Sequence, residues 1–334
     1  MKKILLLATG GTIASEDTGR GLSPKLAPGD LLENVPEIGS FCKVETAQPF
    51  HLDSTNMRPE HWLTLAGEIE RRFGEFDGFV ICHGTDTMAY TAAALSYLVQ
   101  GSEKPVVVTG AQKPMSQQNT DAKINLADSF RFACSEEARG VSIVFGGRAI
   151  AGTRARKMRT KSYNAFSSIN FPDLAAIQDG RVVFYFHEPK EGKAPRFYRN
   201  LNPRVFLLKL IPGTDPELLD RIGDRCDAVI IESYGVGGIP DSGEGSFLCA
   251  LDRLLKMGKT VVMATQVTHE GSDMEVYQVG NVAKERYGLL ETFDMTLESA
   301  VAKLMWILGE TREPDKIREL FYRTVNHDIL MQEE

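Results

Sequence analysis

The chain is expected to have no export leader. Met1 to Gly10 carries two lysines and an apolar run, Ile4 to Ala8, too short for a signal core or a membrane span. It leads into Thr9-Gly10-Gly11-Thr12 instead of a small-residue cleavage site, so it reads as a buried strand. Cysteine is sparse. Cys42, Cys82, Cys134, Cys226 and Cys249 lie far apart, none in the CxxC spacing of zinc or dithiol redox sites, and their odd number and scatter suit reduced thiols in cytoplasm. Positive charge is in deficit: a formal net charge of -7 argues against a nucleic-acid partner, which needs a concentrated basic surface. His51, His61, His187, His269 and His327 show no metal-ligand spacing and read as structural. The turn after the first strand has neither GxxxxGK[ST] nor GxGxxG, which makes it a poor phosphate or dinucleotide cradle.

What is present is globular material: 334 residues, 43% hydrophobic and 25% charged, enough for two domains that each bury a core. Lys3 to Ala8, Gly78 to Cys82, Pro105 to Thr109 and Val141 to Phe145 read as strands of a parallel sheet. His61 to Phe73 and Thr87 to Val99 read as amphipathic helices covering it. This is an α/β, doubly wound, mainly parallel pattern over residues 1–186. Residues 187–204, charged and holding three prolines, read as a connection. A smaller parallel α/β domain over 205–334 follows, with strands at Val205 to Leu210, Ala228 to Glu232 and Thr260 to Ala264. Its helices are expected at Pro216 to Ile222, Gly245 to Met257 and Thr296 to Leu308. The basic run Arg148 to Lys161 reads mostly as a solvated loop, with room for one buried, functional lysine.

Ligands of open parallel sheets bind beyond the carboxyl ends of the strands. Two threonine motifs fall there. In Ala8-Thr9-Gly10-Gly11-Thr12, paired glycines permit a tight turn and close approach of a ligand, and they would present the Thr12 hydroxyl; a turn without chemistry fits equally well. In Gly78 to Met88, a second strand runs into His83-Gly84-Thr85-Asp86-Thr87. Capping of the next helix explains one of those last three residues, not all of them. Two strand-end threonines beside a carboxylate can assemble a nucleophile, an activating group and an ammonium-binding anion. Cys82 and His83, adjacent on a strand, face opposite ways and make a poor dyad.

ATGGTIA and GFVICHGTDTM resemble the two signature segments of the L-asparaginase family, in its cytoplasmic, type I branch. HLDSTNM, VTGAQKP, TRARKMRTKSYNAF, ESYGVGGIP and MEVYQVGN extend the likeness along essentially the whole chain. The resemblance implies hydrolysis of L-asparagine through a threonine ester, without metal or cofactor, in a cytoplasmic homodimer or homotetramer that engages neither nucleic acid nor membrane. It implies Thr12 as nucleophile and Thr85, Lys157 and Asp86 as a hydrogen-bonded triad, the lysine poised by burial to accept a proton that Thr85 relays. Asp86 would also bind the substrate ammonium, Ser54 the carboxylate, with Asp53 and Thr55 beside it as further substrate-binding residues, and the Ala111 carbonyl the leaving nitrogen. Backbone N–H groups near Thr12 and Thr85 would stabilise the oxyanion.

The match has departures. Many members carry a tyrosine in the loop after the first threonine, where this chain has Leu22. Tyr277 stands in a segment that, in some cytoplasmic members, reaches a neighbouring subunit's nucleophile; it reads equally as a packed interface aromatic. Thr55 replaces the glutamine common in exported members. Glu232 occupies a position where an arginine would hold an effector carboxylate, so asparagine allostery is expected to be weak or absent. The rival readings are a glutaminase/asparaginase of broad amide specificity, an amidotransferase subunit, disfavoured because its extra N-terminal domain is not seen before Thr9, and a non-catalytic amino-acid sensor.

Overall fold

An apolar run with no polar alternation is stable as a strand only where both faces are covered. Ile4 to Ala8 form such a strand, every residue buried, within β1 (Lys3–Ala8). The computed structural model describes residues 1–331 except 18, 20, 21, 188, 190, 191, 193, 242–245, 277–279, 282, 283, 285 and 286, with 16, 17 and 22–24 described by backbone alone. It divides into two compact units, Met1–Arg199 and Asn200–Glu334. The boundary lies inside the expected connection. The first part of that connection adheres to unit 1, where Arg196–Phe197 pairs with Val99–Gln100 and the Phe197 ring meets Phe73 edge-on.

The sheet of unit 1 is completed by β2 (Lys43–Ala47), β3 (Gly78–Cys82), β4 (Val106–Thr109), β5 (Val141–Phe145), β6 (Arg148–Ala151), β7 (Ala175–Gln178) and β8 (Arg181–Phe184). Their spatial order is β8-β7-β6-β5-β4-β3-β1-β2. Strands β1 to β5 are mutually parallel, as expected, whereas β6, β7 and β8 add an antiparallel edge. Two tight turns explain that edge. Gly146-Gly147 and Asp179-Gly180 all take positive φ, the conformation that two-residue hairpins need. Helix α1 (Pro59–Arg72) buries Trp62, Leu65, Ala66 and Ile69, while α2 (Met88–Leu98) and α3 (Ala122–Ala133) are buried almost all round.

Unit 2 carries four parallel strands in the order β9 (Val205–Lys209), β10 (Ala228–Ser233), β11 (Thr260–Thr265) and β12 (Leu290–Glu291). Its helices include α4 (Leu218–Gly223), α5 (Phe247–Lys256), α6 (Leu297–Glu310) and α7 (Pro314–Tyr322). On α6 the fully buried Lys303 pairs with buried Asp328 at 2.6 Å and donates to the Arg323 carbonyl at 2.9 Å, which ties the chain after α7 to the helix. Breaking either partner would leave an uncompensated charge in the core. Among the described residues, no helix is long and apolar enough to cross a membrane.

The basic run departs from a solvated loop at one residue besides Lys157. Arg154 is fully buried, its guanidinium 5.6 Å from the Phe171 ring centre, while Arg148, Arg159 and Lys161 are exposed as expected.

Candidate active site

From β1 the chain crosses to β2 on one side, and from β3 it crosses to β4 on the other. The turns after β1 and β3 therefore diverge and leave a crevice, the place where open α/β sheets take ligands. Glycines let these turns touch. A Cβ on Gly11 would lie 2.4 Å from the Gly84 nitrogen, and one on Gly84 would lie 2.5 Å from Ser54 Oγ. Gly11 also takes φ +78°, which disfavours any side chain there. Thr12, Thr85 and Ser54 are thus carried on three backbone turns in direct contact.

Thr12 opens a 3-10 turn, Thr12–Ala14, and is partly exposed while Ile13 and Ala14 below it are buried. Ser54 is buried at the start of another such turn, Ser54–Asn56. Its flanking residues are exposed and engaged with each other: Asp53 Oδ1 accepts from the Thr55 nitrogen at 2.9 Å and from the Thr55 hydroxyl at 3.0 Å. Thr87 occupies the N-cap position of α2 without capping it; its hydroxyl instead donates to the Ser54 carbonyl at 2.8 Å, joining the second and third turns.

A polar chain runs into this crevice. Lys157, at the end of the short strand Ala155–Lys157, donates from Nζ to Thr85 Oγ1 at 2.7 Å and to Asp86 Oδ1 at 2.6 Å. The lysine side chain is only 17% exposed, so this contact is sheltered on one side, while Asp86 at 58% faces solvent. The Thr85 hydroxyl in turn donates to Gln112 Oε1 at 3.4 Å. The orientation of that amide is determined: Gln112 Nε2 faces the carbonyls of Arg159 at 3.3 Å and Ser162 at 3.2 Å, which can only accept. Hydrogen bonds therefore point one way, from Lys157 to Thr85 to Gln112.

Gln112, Asp121 and Asn125 escaped the reading of the sequence. Asp121 accepts from the Gln112 nitrogen at 2.9 Å and the Lys113 nitrogen at 3.0 Å, and Asn125 Nδ2 donates to the Gly110 carbonyl at 2.9 Å. Together they clamp the loop after β4 around buried Ala111. VTGAQKP carried the signal for this loop, and the polar residues opening α3 carried the signal for its clamp.

A second one-way chain braces the turn after β3. Trp62 Nε1 donates to Thr91 at 2.9 Å, the Thr91 hydroxyl to His83 Nε2 at 2.9 Å, and His83 Nδ1 to the Gly84 carbonyl at 2.7 Å. Of the two neutral tautomers, only the Nδ1–H form satisfies all three bonds. Burial pushes the His83 pKa down to about 4, and it pushes the Cys82 thiol up to about 12. Neither ring nor thiol is poised as a nucleophilic pair, as the strand geometry implied. Glu232 is buried and paired with Lys209 at 3.3 Å. Tyr277 lies outside the described residues, as does the side chain of Leu22. Among the described residues, no group of three or more His, Cys, Asp or Glu could hold a metal ion.

Comparisons with known proteins agree along the chain. The model described as Asparaginase, N-terminal, matches residues 3–190, and that of the Glutaminase/Asparaginase C-terminal domain matches residues 204–321. The chain is 39% identical to the L-asparaginase of Thermococcus kodakarensis, over 98% of this chain and 99% of that one. A solved structure of the thermostable L-asparaginase from the same organism superposes with a TM-score of 0.92 at 37% identity, covering 99% of this chain and 100% of that one. The probable cytoplasmic L-asparaginase of Campylobacter jejuni superposes with a TM-score of 0.82 at 29% identity, covering 96% and 99%. A glutamyl-tRNA(Gln) amidotransferase subunit of Pyrococcus abyssi is 32% identical over 96% of this chain, but over only 75% of its own length.

Proposed function

The chain belongs to the asparaginase family, and from that premise we propose that it hydrolyses the side-chain amide of L-asparagine to L-aspartate and ammonia through an ester on Thr12. The observation that carries this reading is the contact of Lys157 with both Thr85 and Asp86, on a turn whose backbone touches the one bearing Thr12. A threonine hydroxyl is a weak nucleophile and needs a partner for its proton. The Thr12 proton passes to Thr85, whose hydroxyl turns from Gln112 and hands its own proton to Lys157 Nζ, while the Thr12 oxygen attacks the amide carbon. The tetrahedral oxyanion is held by backbone N–H groups of the glycine turns. Collapse expels ammonia as the proton taken from Thr12 is returned to the leaving nitrogen, which donates a hydrogen bond to the Ala111 carbonyl, and water then cleaves the ester.

Asp86 has a second task. It holds Lys157 with one oxygen and, half in solvent, offers the other to the substrate ammonium, while Ser54 receives the carboxylate. Asp53 and Thr55 shape the Ser54 turn through their mutual bonds. Gln112 is a positioning residue that fixes the Thr85 hydroxyl. The protein works in the cytoplasm as a homodimer or homotetramer, without metal or cofactor and without nucleic-acid or membrane partners. In that assembly Tyr277 of a neighbouring subunit assists Thr12; an active monomer by sedimentation would remove it from the mechanism.

Ammonia release from L-asparagine by the purified protein tests the reading, with Thr12→Ala as control. Absence of turnover in the unaltered protein favours an amino-acid sensor. The match to a model shared by glutaminases and asparaginases keeps glutamine as a second substrate, because one methylene in a pocket is worth only about 1–3 kcal/mol. Parallel kinetics on both amides separate the two.

A further inference from the structure

Thr12 stands between two peptide units, and one buried residue holds both of them. Ser15, 3% exposed, donates from its hydroxyl to the Gly11 carbonyl at 2.8 Å and from its backbone nitrogen to the Thr12 carbonyl. The Gly11 carbonyl shares a peptide unit with the Thr12 nitrogen, and the Thr12 carbonyl shares one with the Ile13 nitrogen. A trans peptide is planar, so its N–H points opposite to its C=O. Both carbonyls are drawn toward buried Ser15, and both N–H groups therefore face away from it, while Thr12 itself is partly exposed.

The other carbonyls of the turn are occupied as well. That of Ile13 accepts from the Met115 nitrogen at 3.3 Å, and that of Ala14 from the Lys25 and Leu26 nitrogens at 2.7 and 2.9 Å. Among the described residues, none accepts from the Thr12 or Ile13 nitrogen. The turn thus spends its acceptors on the protein and keeps two donors beside the nucleophile. Its weak joint is Gly11. At φ +78° and ψ −179° this residue has no Cβ to oppose rotation of the peptide that follows, and a flip there would turn the Gly11 carbonyl to where the Thr12 N–H points. Against that flip stand a bond from the Ala14 nitrogen at 3.1 Å and the shorter one from the Ser15 hydroxyl.

We propose that Ser15 is a positioning residue for the Thr12 reaction, its hydroxyl locking the Gly11–Thr12 peptide so that the Thr12 N–H meets the tetrahedral oxyanion. This role rests on the reading of Thr12 as nucleophile. Ser15 acts through the peptide alone, and the substrate ammonium and carboxylate are held elsewhere, by Asp86 and Ser54. The lock is therefore felt when charge develops on the amide oxygen and not when substrate binds.

Ammonia release from L-asparagine and its inhibition by L-aspartate are measured for the unaltered full-length protein and for Ser15→Ala, Ser15→Cys, Ser15→Thr and Thr12→Ala, each well below its Tm. Ser15→Ala is expected to lower kcat about tenfold, with KM and the aspartate inhibition constant within about twofold. Ser15→Cys, whose thiol is a poor donor, should match it, and Ser15→Thr, which keeps the hydroxyl, should recover kcat to within about threefold. An unchanged kcat in Ser15→Ala, with or without a lowered Tm, a loss confined to KM, or a folded Ser15→Thr as slow as the alanine variant overturns the proposal. Ser15→Cys decides the matter should Ser15→Ala fail to fold. Thr12→Ala tells the two failures apart: turnover retained there removes the nucleophile and the lock together, whereas an inactive Thr12→Ala beside a fully active Ser15→Ala removes the lock alone.

Discussion

The carboxyl ends of β1 and β3 and those of β10 and β11 are built alike, as apolar parallel strands running into polar or glycine turns, yet they dispose of their polar atoms differently. In unit 2, Ser233 Oγ donates to the Ala264 carbonyl at 2.7 Å, and Gln266 Nε2 donates to the carbonyls of Leu210 at 2.7 Å and Glu232 at 3.0 Å. Those side chains are committed to backbone. In unit 1, the corresponding turns bring a lysine nitrogen, a hydroxyl, a carboxylate and an amide into one chain of bonds that opens toward the crevice. The architecture supplies a place, and the side chains at that place decide whether it does chemistry.

The comparison breaks most visibly at Thr12. Thr12→Ala is expected to lower ammonia release from L-asparagine by about 10³-fold or more with aspartate binding retained, while Ser233→Ala leaves it within about twofold. Equal losses in the two variants, measured side by side, would mean that the strand ends of unit 1 are not special.

Next in size are two effects on the frame of the site. Gly11→Ala must place a methyl 2.4 Å from the Gly84 nitrogen at φ +78°, and it is expected to cost about 3 kcal/mol in denaturant unfolding. The His83 chain sharpens the comparison through pH. With its pKa pushed from 6.5 to about 4, the ring favours the fold only when neutral, so its contribution is complete above pH 6.5 and is lost as pH falls toward 4. The loss amounts to about 3 kcal/mol, and the unaltered protein minus His83→Gln should show it as a stability difference confined to that window. A flat difference would remove the neutral ring from the account.

The smallest expected effect is at Gln112. Gln112→Met keeps the side-chain length but removes both ends of the amide, and it should lower kcat by about tenfold with KM within about twofold. A change in KM alone would make Gln112 a substrate contact instead of the group that orients Thr85.

The sequence revealed the parts that depend on local pattern. β1 and β3 were legible because five consecutive apolar residues fit only a doubly covered strand, whereas β2, with Lys43, Glu45 and Thr46 on an edge, carries no such run. The antiparallel edge was announced by Gly146-Gly147 and Asp179-Gly180, hairpin signals that a parallel reading passed over. Helix α3 was obscured because buried Asn125, Asp128 and Ser129 blur its apolar face, and Asn125 is there to hold the loop after β4. The pairing of Thr85 with Lys157 came from family resemblance, since nothing local joins residues so far apart in sequence. Gln112 matters only because Arg159 and Ser162 turn their carbonyls toward it.

The central claim is that the Thr12 oxygen forms a bond to the substrate. Mixing the protein with L-asparagine, quenching in acid within milliseconds and mapping peptides by mass tests it most directly. An aspartyl adduct on Thr12 of the unaltered protein, absent when Lys157→Met removes the group that takes the Thr12 proton, is the expected result; steady ammonia release with an unmodified Thr12, or with the adduct on Thr85, would contradict it.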